Sequence, residues 1–226
     1  MTHSIEHSPV FSTLKVTLDA GESIIGEQGA MISMSPSIEL QAKTSGKGIF
    51  GAVKSMVGGE SLFSTTYTAS ENNSELVLAP GSPGDIIHYE MTGRTILAQG
   101  GAYLAGTTGL ELSTQGSLRA MVMGEGLFLQ RISGNGHVWL SCFGAVYEKQ
   151  LGPGEEYSVD NSNLLAFEEG VTYQIKKATK GLFSTFASGE GFVSRFTGPG
   201  KVWIQTRSVR GLAQVLMPFM QKSSGN

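Results

Sequence analysis

The chain has 226 residues, of which 40% are apolar and only 15% are charged, and it contains 31 glycines. This composition favours a compact, turn-rich globular protein over a disordered chain or a coiled coil. The net charge of −3 indicates no polyanionic partner, and no apolar run approaches the roughly 20 residues that a membrane-spanning helix needs. The single cysteine, Cys142, excludes an intramolecular disulfide and a cysteine-based zinc site.

The N-terminal segment, MTHSIEHSPVFS, has neither the basic start nor the apolar centre of a signal peptide. We therefore expect a cytoplasmic protein. The stretch from His3 to His7 matches the H-x-x-E-H pattern of inverted zinc peptidases, but that chemistry requires a buried helix and a third ligand. Only His88 and His137 remain as further histidine candidates, and the four histidines are scattered along the chain, so we predict no metal or other cofactor.

Alternation of apolar and polar residues indicates β-strands along most of the chain, because one face of such a strand is buried. The pairs Gly134-Asn135 and Pro199-Gly200 predict tight turns between strands. Short strands with turns every eight to twelve residues or so are typical of an all-β sandwich or roll. The alternation is seen at Leu14, Val16 and Leu18, at Ile38, Leu40 and Ala42, and at Val138, Leu140 and Cys142.

One sequence pattern occurs three times along the chain. The segment 24–40 aligns without gaps with 96–112, and 157–175 is a more diverged copy. Trp139 and Trp203 take equivalent positions in the second and third copies. We therefore predict an all-β fold in one compact domain of three tandem repeats. The predicted boundaries are 11–75, 76–147 and 148–206 for the repeats, and 207–226 for a C-terminal helix and tail.

A short Gly-Glu signature also recurs, as GESLF, GEGLF and GEGFV, with equal spacing. A catalytic pair of carboxylates needs two different environments, whereas equivalent repeats give each glutamate a similar one. We therefore predict that these residues stabilise the repeats and perform no catalysis. The signature residues are Gly59, Glu60, Gly124, Glu125, Gly189 and Glu190.

Two stretches have helical spacing. The first, at 49–57, follows a G-x-G-x-x-G pattern that lacks the strand and crossover helix of a dinucleotide site. The second, at 208–217, carries an apolar stripe that begins at Leu212, and Pro218 should end or kink it. This C-terminal helix could dock on the β core, on a sister subunit or on a membrane. Its flanking cations, Arg207, Arg210 and Lys222, are candidate contacts to an anionic surface.

The repeated motifs GAM and GGESLF, together with GLFLQ and the C-terminal VRGLAQVLMPF, resemble one family over about 11–220. It is the TRAP-like family that includes the altered-inheritance-of-mitochondria (mitochondrial biogenesis) proteins and many uncharacterised prokaryotic members. The resemblance implies three short double-stranded β-helix repeats, with three chains forming a nine-repeat ring. It also implies a link of the eukaryotic relatives to the mitochondrial inner membrane, and it supplies no established reaction or ligand.

Two functions known for related folds are disfavoured by the residues. Ring-forming RNA-binding relatives carry lysines in every repeat, whereas here Lys43, Lys176 and Lys177 have no counterpart near Gln115 in the second repeat. A basic cluster that is not repeated cannot lead RNA around a ring, so nucleic acid is not an expected partner. Metal-dependent cupin enzymes use an H-x-H pair, which this chain lacks.

The sequence therefore favours a non-enzymatic, homo-oligomeric β scaffold or interaction protein, with a trimer as the expected assembly. Contact of the C-terminal helix with a membrane or envelope surface is a further expectation. The alternative is a small-ligand binder or an enzyme that uses a cleft between repeats or between subunits.

Overall fold

The protein is mostly β, with antiparallel sheets and one α-helix in the part of the chain that the structure describes. This structure is a computed structural model that describes residues 1–43, 64–115, 127–177 and 192–220. The predictions of an all-β core and of a C-terminal helix are confirmed. The predicted helical segment at 49–57 lies outside the described residues, and the repeat boundaries stay a prediction.

Eighteen strands are described, and they are numbered in chain order. The first seven are β1 (Thr2–Glu6), β2 (Thr13–Leu18), β3 (Ser23–Glu27), β4 (Met31–Met34), β5 (Ile38–Lys43), β6 (Ser64–Ala69) and β7 (Ser74–Leu78). The next five are β8 (Ile86–Thr92), β9 (Ile96–Gln99), β10 (Tyr103–Thr107), β11 (Leu110–Gln115) and β12 (Leu129–Ser141). The last six are β13 (Val146–Leu151), β14 (Glu156–Asp160), β15 (Leu164–Glu168), β16 (Thr172–Lys177), β17 (Phe192–Thr197) and β18 (Gly200–Gln205).

The strands form three sheets. One sheet has four strands in the order β1-β2-β7-β4, and another has three in the order β14-β17-β16. The largest sheet runs β13-β18-β15-β9-β12-β10-β3-β6-β5, with β8 and β11 pairing with β12 off this path. Each of these pairings is antiparallel, which suits short loops and sheets with one buried face.

Strand β12 corrects one expectation from the sequence. Gly134 and Asn135 were expected to form a turn, yet β12 continues through them for 13 residues. Its first part pairs with β9 and β11, and its second part pairs with β8 and β10. Gly134 has a φ of 110°, and a Cβ there would lie 2.3 Å from the Gly109 oxygen. The glycines therefore allow β12 to bend and to change the strands it pairs with. At this position, residues with side chains would end the strand.

Alternating burial along the strands builds three apolar cores. In β2, Leu14, Val16 and Leu18 are fully buried while the residues between them are partly exposed. The first core packs β2 and β7 against β3, β6 and the end of β12, and Trp139 is fully buried in it. The second core contains Trp203 and Cys142, and the third contains Phe167 and Phe196.

Helix α1 (Val209–Leu216) follows the last strand, and a 3-10 turn (Met217–Phe219) ends it. Pro218 lies in this turn, where its missing N–H breaks the α-helical hydrogen-bond pattern. The predicted termination of the helix near Met217 is confirmed.

Replacing the buried Leu76 tests the first core. Leu76 is fully buried in β7, so Leu76→Ala should lower the free energy of unfolding by about 2–5 kcal/mol through lost apolar contacts and a residual cavity. Urea denaturation at one fixed protein concentration measures this change. The matched control is Leu112→Ala, because Leu112 is also a strand leucine but is 37% exposed. Equal losses for the two variants would contradict the position of the core.

Candidate functional site

The sequence-predicted site residues fall into two groups. Arg207 and Arg210 are described and lie exposed around the start of α1. The other seven lie outside the described residues, so their roles stay predictions. They are Gly59, Glu60, Gly124, Glu125, Gly189, Glu190 and Lys222.

Helix α1 presents an apolar surface to solvent. The Ser208 hydroxyl accepts a hydrogen bond from the Gly211 N–H at 3.1 Å, which satisfies one of the unpaired amides of the first turn. None of the helix residues is buried. An exposed apolar patch of this kind marks an interaction surface. The exposed apolar residues of this surface are Val209, Leu212, Val215, Leu216, Met217, Phe219 and Met220.

Arg207 fixes the point at which the chain leaves the β core. Its backbone N–H donates to the Phe143 carbonyl at 3.2 Å, and its Nη1 donates to the Thr206 carbonyl at 2.9 Å. The bond to Phe143 holds the start of α1 against the loop after β12, whereas the bond to Thr206 is local to the preceding residue. The apolar surface of the helix is therefore attached to the sheets at its N-terminal end.

A cavity of about 270 Å³ adjoins the first residue of α1. Gln205 lines this cavity and links two other lining residues. Its Nε2 donates to Gln99 Oε1 at 3.4 Å and to the Ser162 carbonyl at 3.2 Å. Cys142 also lines it, and burial raises the pKa of this thiol. A protonated thiol is a poor nucleophile, so the cavity suits binding by its amide and hydroxyl groups better than covalent chemistry.

Three of the four histidines meet where β1, β8 and β12 approach one another. The ring centroids are 4.4 Å apart for His3 and His88, and 5.0 Å apart for His88 and His137. His88 Nε2 and His137 Nδ1 are hydrogen-bonded at 2.9 Å. The three rings pack around Trp139, with His88 stacked on it and His3 edge-on to it. We call His3, His88 and His137 the histidine cluster.

The cluster favours neutral imidazoles. His3 and His88 keep part of their surface exposed to solvent. Partial burial, followed by the charges of His3 and His137, lowers the pKa of His88 to about 4, although Glu90 acts in the opposite direction. Burial and the charge of His137 also lower the pKa of His3. A hydrogen bond between two imidazoles requires one neutral ring as acceptor. The bond between His88 and His137 is therefore consistent with the lowered pKa values in the cluster.

The arrangement does not form a metal centre. No group of three or more His, Cys, Asp or Glu side chains could hold a metal ion within residues 1–43, 64–115, 127–177 and 192–220. In the histidine cluster, the bonded nitrogens of His88 and His137 point at each other, whereas metal ligands direct their lone pairs at a shared third point.

The contact among three of the four histidines was not predicted from their scattered positions in the sequence. Strand alternation does place His137 and Trp139 on one face of β12, and this signal is readable in the sequence. His88 faces Trp139 because those two residues are register partners. The approach of His3, however, depends on two sheets that pack face to face, and no local pattern predicts that contact.

Known proteins share both the sequence pattern and the fold of this chain. The chain has the architecture of a mostly β protein with antiparallel sheets and a C-terminal helix. Residues 3–207 match the family described as "Mitochondrial biogenesis AIM24". The chain belongs to this family, and the resemblance seen in the repeated motifs is confirmed.

Two relatives are streptococcal. An uncharacterised protein of Streptococcus pyogenes serotype M6 is 30% identical over 233 residues, which cover 99% of this chain and 93% of that protein. The crystal structure of protein SPYM3_0169 from Streptococcus pyogenes has a TM-score of 0.81 at 28% identity. That match covers 97% of this chain and 99% of the other.

Proposed function

We propose that the protein is a non-catalytic, homo-oligomeric β scaffold. Each chain would contribute three TRAP-like double-stranded β-helix repeats, and three chains would close into a ring. One observation carries the proposal. Strand β4 ends the four-stranded sheet and β14 ends the three-stranded sheet, and these two strands are the complementary halves of a junction that occurs twice within the chain.

The first support is a strand pairing that recurs in each predicted repeat. The first three-stranded unit has the order β2-β7-β4 in the first repeat, β8-β12-β10 in the second and β13-β18-β15 in the third. The second unit has the orders β3-β6-β5, β9-β12-β11 and β14-β17-β16. Each predicted repeat thus consists of two three-stranded units of the same order.

The second support is a register irregularity at equivalent positions. The shift falls between Met31 and Ser33 in β4, between Tyr103 and Ala105 in β10, and between Leu164 and Ala166 in β15. These residues are the ones that the sequence alignment of the repeats matches. A bulge at the same position in each copy is difficult to obtain by chance, since bulges depend on specific local geometry.

The third support is how neighbouring repeats join. Strand β10 of the second repeat pairs with β3 of the first, and β15 of the third pairs with β9 of the second. The equivalent strands that remain are β4 and β14. Both lie at the ends of their sheets, so their outer backbone groups are available for pairing with another chain.

The two internal junctions share one register, which predicts the register between chains. Gly106 pairs with Ile25, and Phe167 pairs with Leu97. The equivalent residues in β4 and β14 are Met34 and Ser158. A head-to-tail contact that pairs them joins different surfaces of the two chains, and such a contact closes into a ring when its rotation allows.

A disulfide across this junction tests the assembly. In a Cys142→Ser background, Met34→Cys together with Ser158→Cys should form interchain disulfides on mild oxidation, because register partners bring their Cβ atoms to about 4.5–5.5 Å. Non-reducing electrophoresis should then show covalent dimers and trimers that dithiothreitol reverses.

The matched control is Met34→Cys with Glu156→Cys, which moves one thiol two residues along the same face of β14. This pair should cross-link far less, since its Cα atoms are separated by more than about 7 Å. Circular dichroism checks that both variants are folded. Folded protein without interchain disulfides, or equal cross-linking of the two pairs, contradicts the proposed ring.

The exposed surface of α1 supports a second role for the scaffold, peripheral contact with an anionic membrane. Apolar side chains cover its exposed side, and Arg207 and Arg210 lie beside them. This combination suits a helix that lies in the plane of a lipid interface. Among the described residues, no helix is long and apolar enough to cross a membrane.

Vesicle binding tests this surface. We expect the full chain to pellet with vesicles of phosphatidylglycerol and phosphatidylcholine at low salt, and less at high salt because charge attraction is screened. Changing both Leu212 and Leu216 to Ser should reduce the pelleted fraction several-fold. The control is Gln214→Ser on the opposite side of the helix. No pelleting of the unaltered chain, or no difference between the variants, contradicts this role.

The cavity beside α1 favours one alternative function, binding of a small polar ligand between the second and third predicted repeats. Its volume of about 270 Å³ is near the lower end of ligand pockets. Under this alternative, one compound of a metabolite panel raises the melting temperature, and Gln99→Met abolishes that shift. The exposed control Gln41→Met should retain it. A panel without any shift, or a shift unchanged by Gln99→Met, rejects the cavity as the binding site.

A further inference from the structure

Strand β1 covers one margin of the first core. It pairs with β2 from Thr2↔Thr17 to Glu6↔Thr13, and Met1 and Ile5 pack against that core. By strand alternation, His3 lies on the same inward face as these two residues. Its ring meets His88 at a centroid distance of 4.4 Å and Trp139 at 5.0 Å. Side chains from two different sheets therefore meet at the histidine cluster.

The strands that meet here carry few opposing charges. On β8, Glu90 is a register partner of His137 and favours the protonated form of His88, but burial and the two other imidazoles outweigh it. The remaining charged groups of β1 and β2 act mainly on other residues. Glu6 accepts from Ser4, Lys15 pairs with Glu75, and the N-terminal ammonium pairs with Glu22.

Protonation would act against this contact in two ways. When both rings carry two protons, His88 and His137 are donors only, and their 2.9 Å hydrogen bond is lost. Like charges would also face each other at centroid distances of 4.4–5.8 Å across the cluster. Strands β1 and β8 each have one pairing partner among the described strands, but five register pairs hold β1 and seven hold β8. The β1 side of the cluster is therefore the side that we expect to move away.

We propose that the histidine cluster is an acid-sensitive clasp, which holds β1 in place at neutral pH and releases it on acidification. Release uncovers the Trp139 ring and frees the outer edge of β2. An uncovered strand edge can accept an extended segment of another polypeptide. The proposal concerns β1 and its contact with β8 and β12 of the second predicted repeat, and it involves neither β4 nor β14, so it stands whether or not the ring forms.

The direction of the pH effect follows from the lowered pKa values. A base whose pKa is lower in the folded state favours the folded contact when it is neutral. The contribution of His88 is complete above its usual value of 6.5 and is lost as the pH falls toward about 4. The lowered pKa of His3 acts in the same direction. Opening of β1 is therefore expected in this acidic window.

Trp139 provides the measurement. In a Trp203→Phe background it is the sole tryptophan, and it is fully buried. We expect its quenching by acrylamide to rise at least about twofold as the pH falls from about 7.5 to 4.5, while far-UV circular dichroism stays unchanged. EDTA in every buffer ensures that protons, and not metal ions, are being titrated.

Three variants connect the effect to the clasp. His3→Gln should remove most of the pH dependence, and His7→Asn should retain it, because His7 lies outside the cluster with a φ of 60° that Asn tolerates. Ser4→Cys with Lys15→Cys, a register pair in a Cys142→Ser background, should abolish the change when oxidised and restore it when reduced.

Each result of the quenching measurements either supports or overturns the clasp. Loss of the pH dependence in His3→Gln and in the oxidised tether, with His7→Asn unaffected, supports the clasp. A quenching change that persists in the oxidised tether, or that is absent from the unaltered cluster over this pH range, overturns it. Should His3→Gln fail to fold, the redox pair of the tethered variant still decides the question.

Discussion

Backbone pairing between sheet edges is the constraint on which this architecture depends. Within the chain, the first three-stranded unit of one predicted repeat is joined to the second unit of the repeat before it, through β10 with β3 and through β15 with β9. Each junction makes a continuous sheet from two short units, and it satisfies backbone groups that a small isolated unit would leave at an edge. Among the described residues the remaining units end at β4 and β14, and in the proposed assembly another chain meets the same requirement.

The other surfaces can be understood from this arrangement. Because the sheets are joined edge to edge, their faces are free to enclose apolar cores, and Trp139 and Trp203 occupy two of these cores. The margins of the cores are closed by elements outside the repeated pattern. Strand β1 closes one of them, and its contact brings the histidine cluster together. Helix α1 begins beside the cavity near Cys142 and leaves its apolar residues exposed.

Local chemistry made much of the fold predictable from the sequence. Alternation predicted β2 from Leu14, Val16 and Leu18. Pro218 predicted the end of the C-terminal helix. The prediction of a turn at Gly134 and Asn135 was wrong because a glycine with positive φ can also occur within a strand that changes its pairing partners. The histidine cluster was missed for a different reason, since His3 and His88 are 85 positions apart and meet only because two sheets face each other.

The mass of the native particle in solution tests the central claim most directly, because the proposed pairing of β4 with β14 gives every chain two neighbours. Light scattering coupled to size-exclusion chromatography, at neutral pH and without any cross-link, should give about three times the chain mass of 23.9 kDa, close to 72 kDa. A folded protein that remains at the mass of one chain at micromolar concentration would contradict the account.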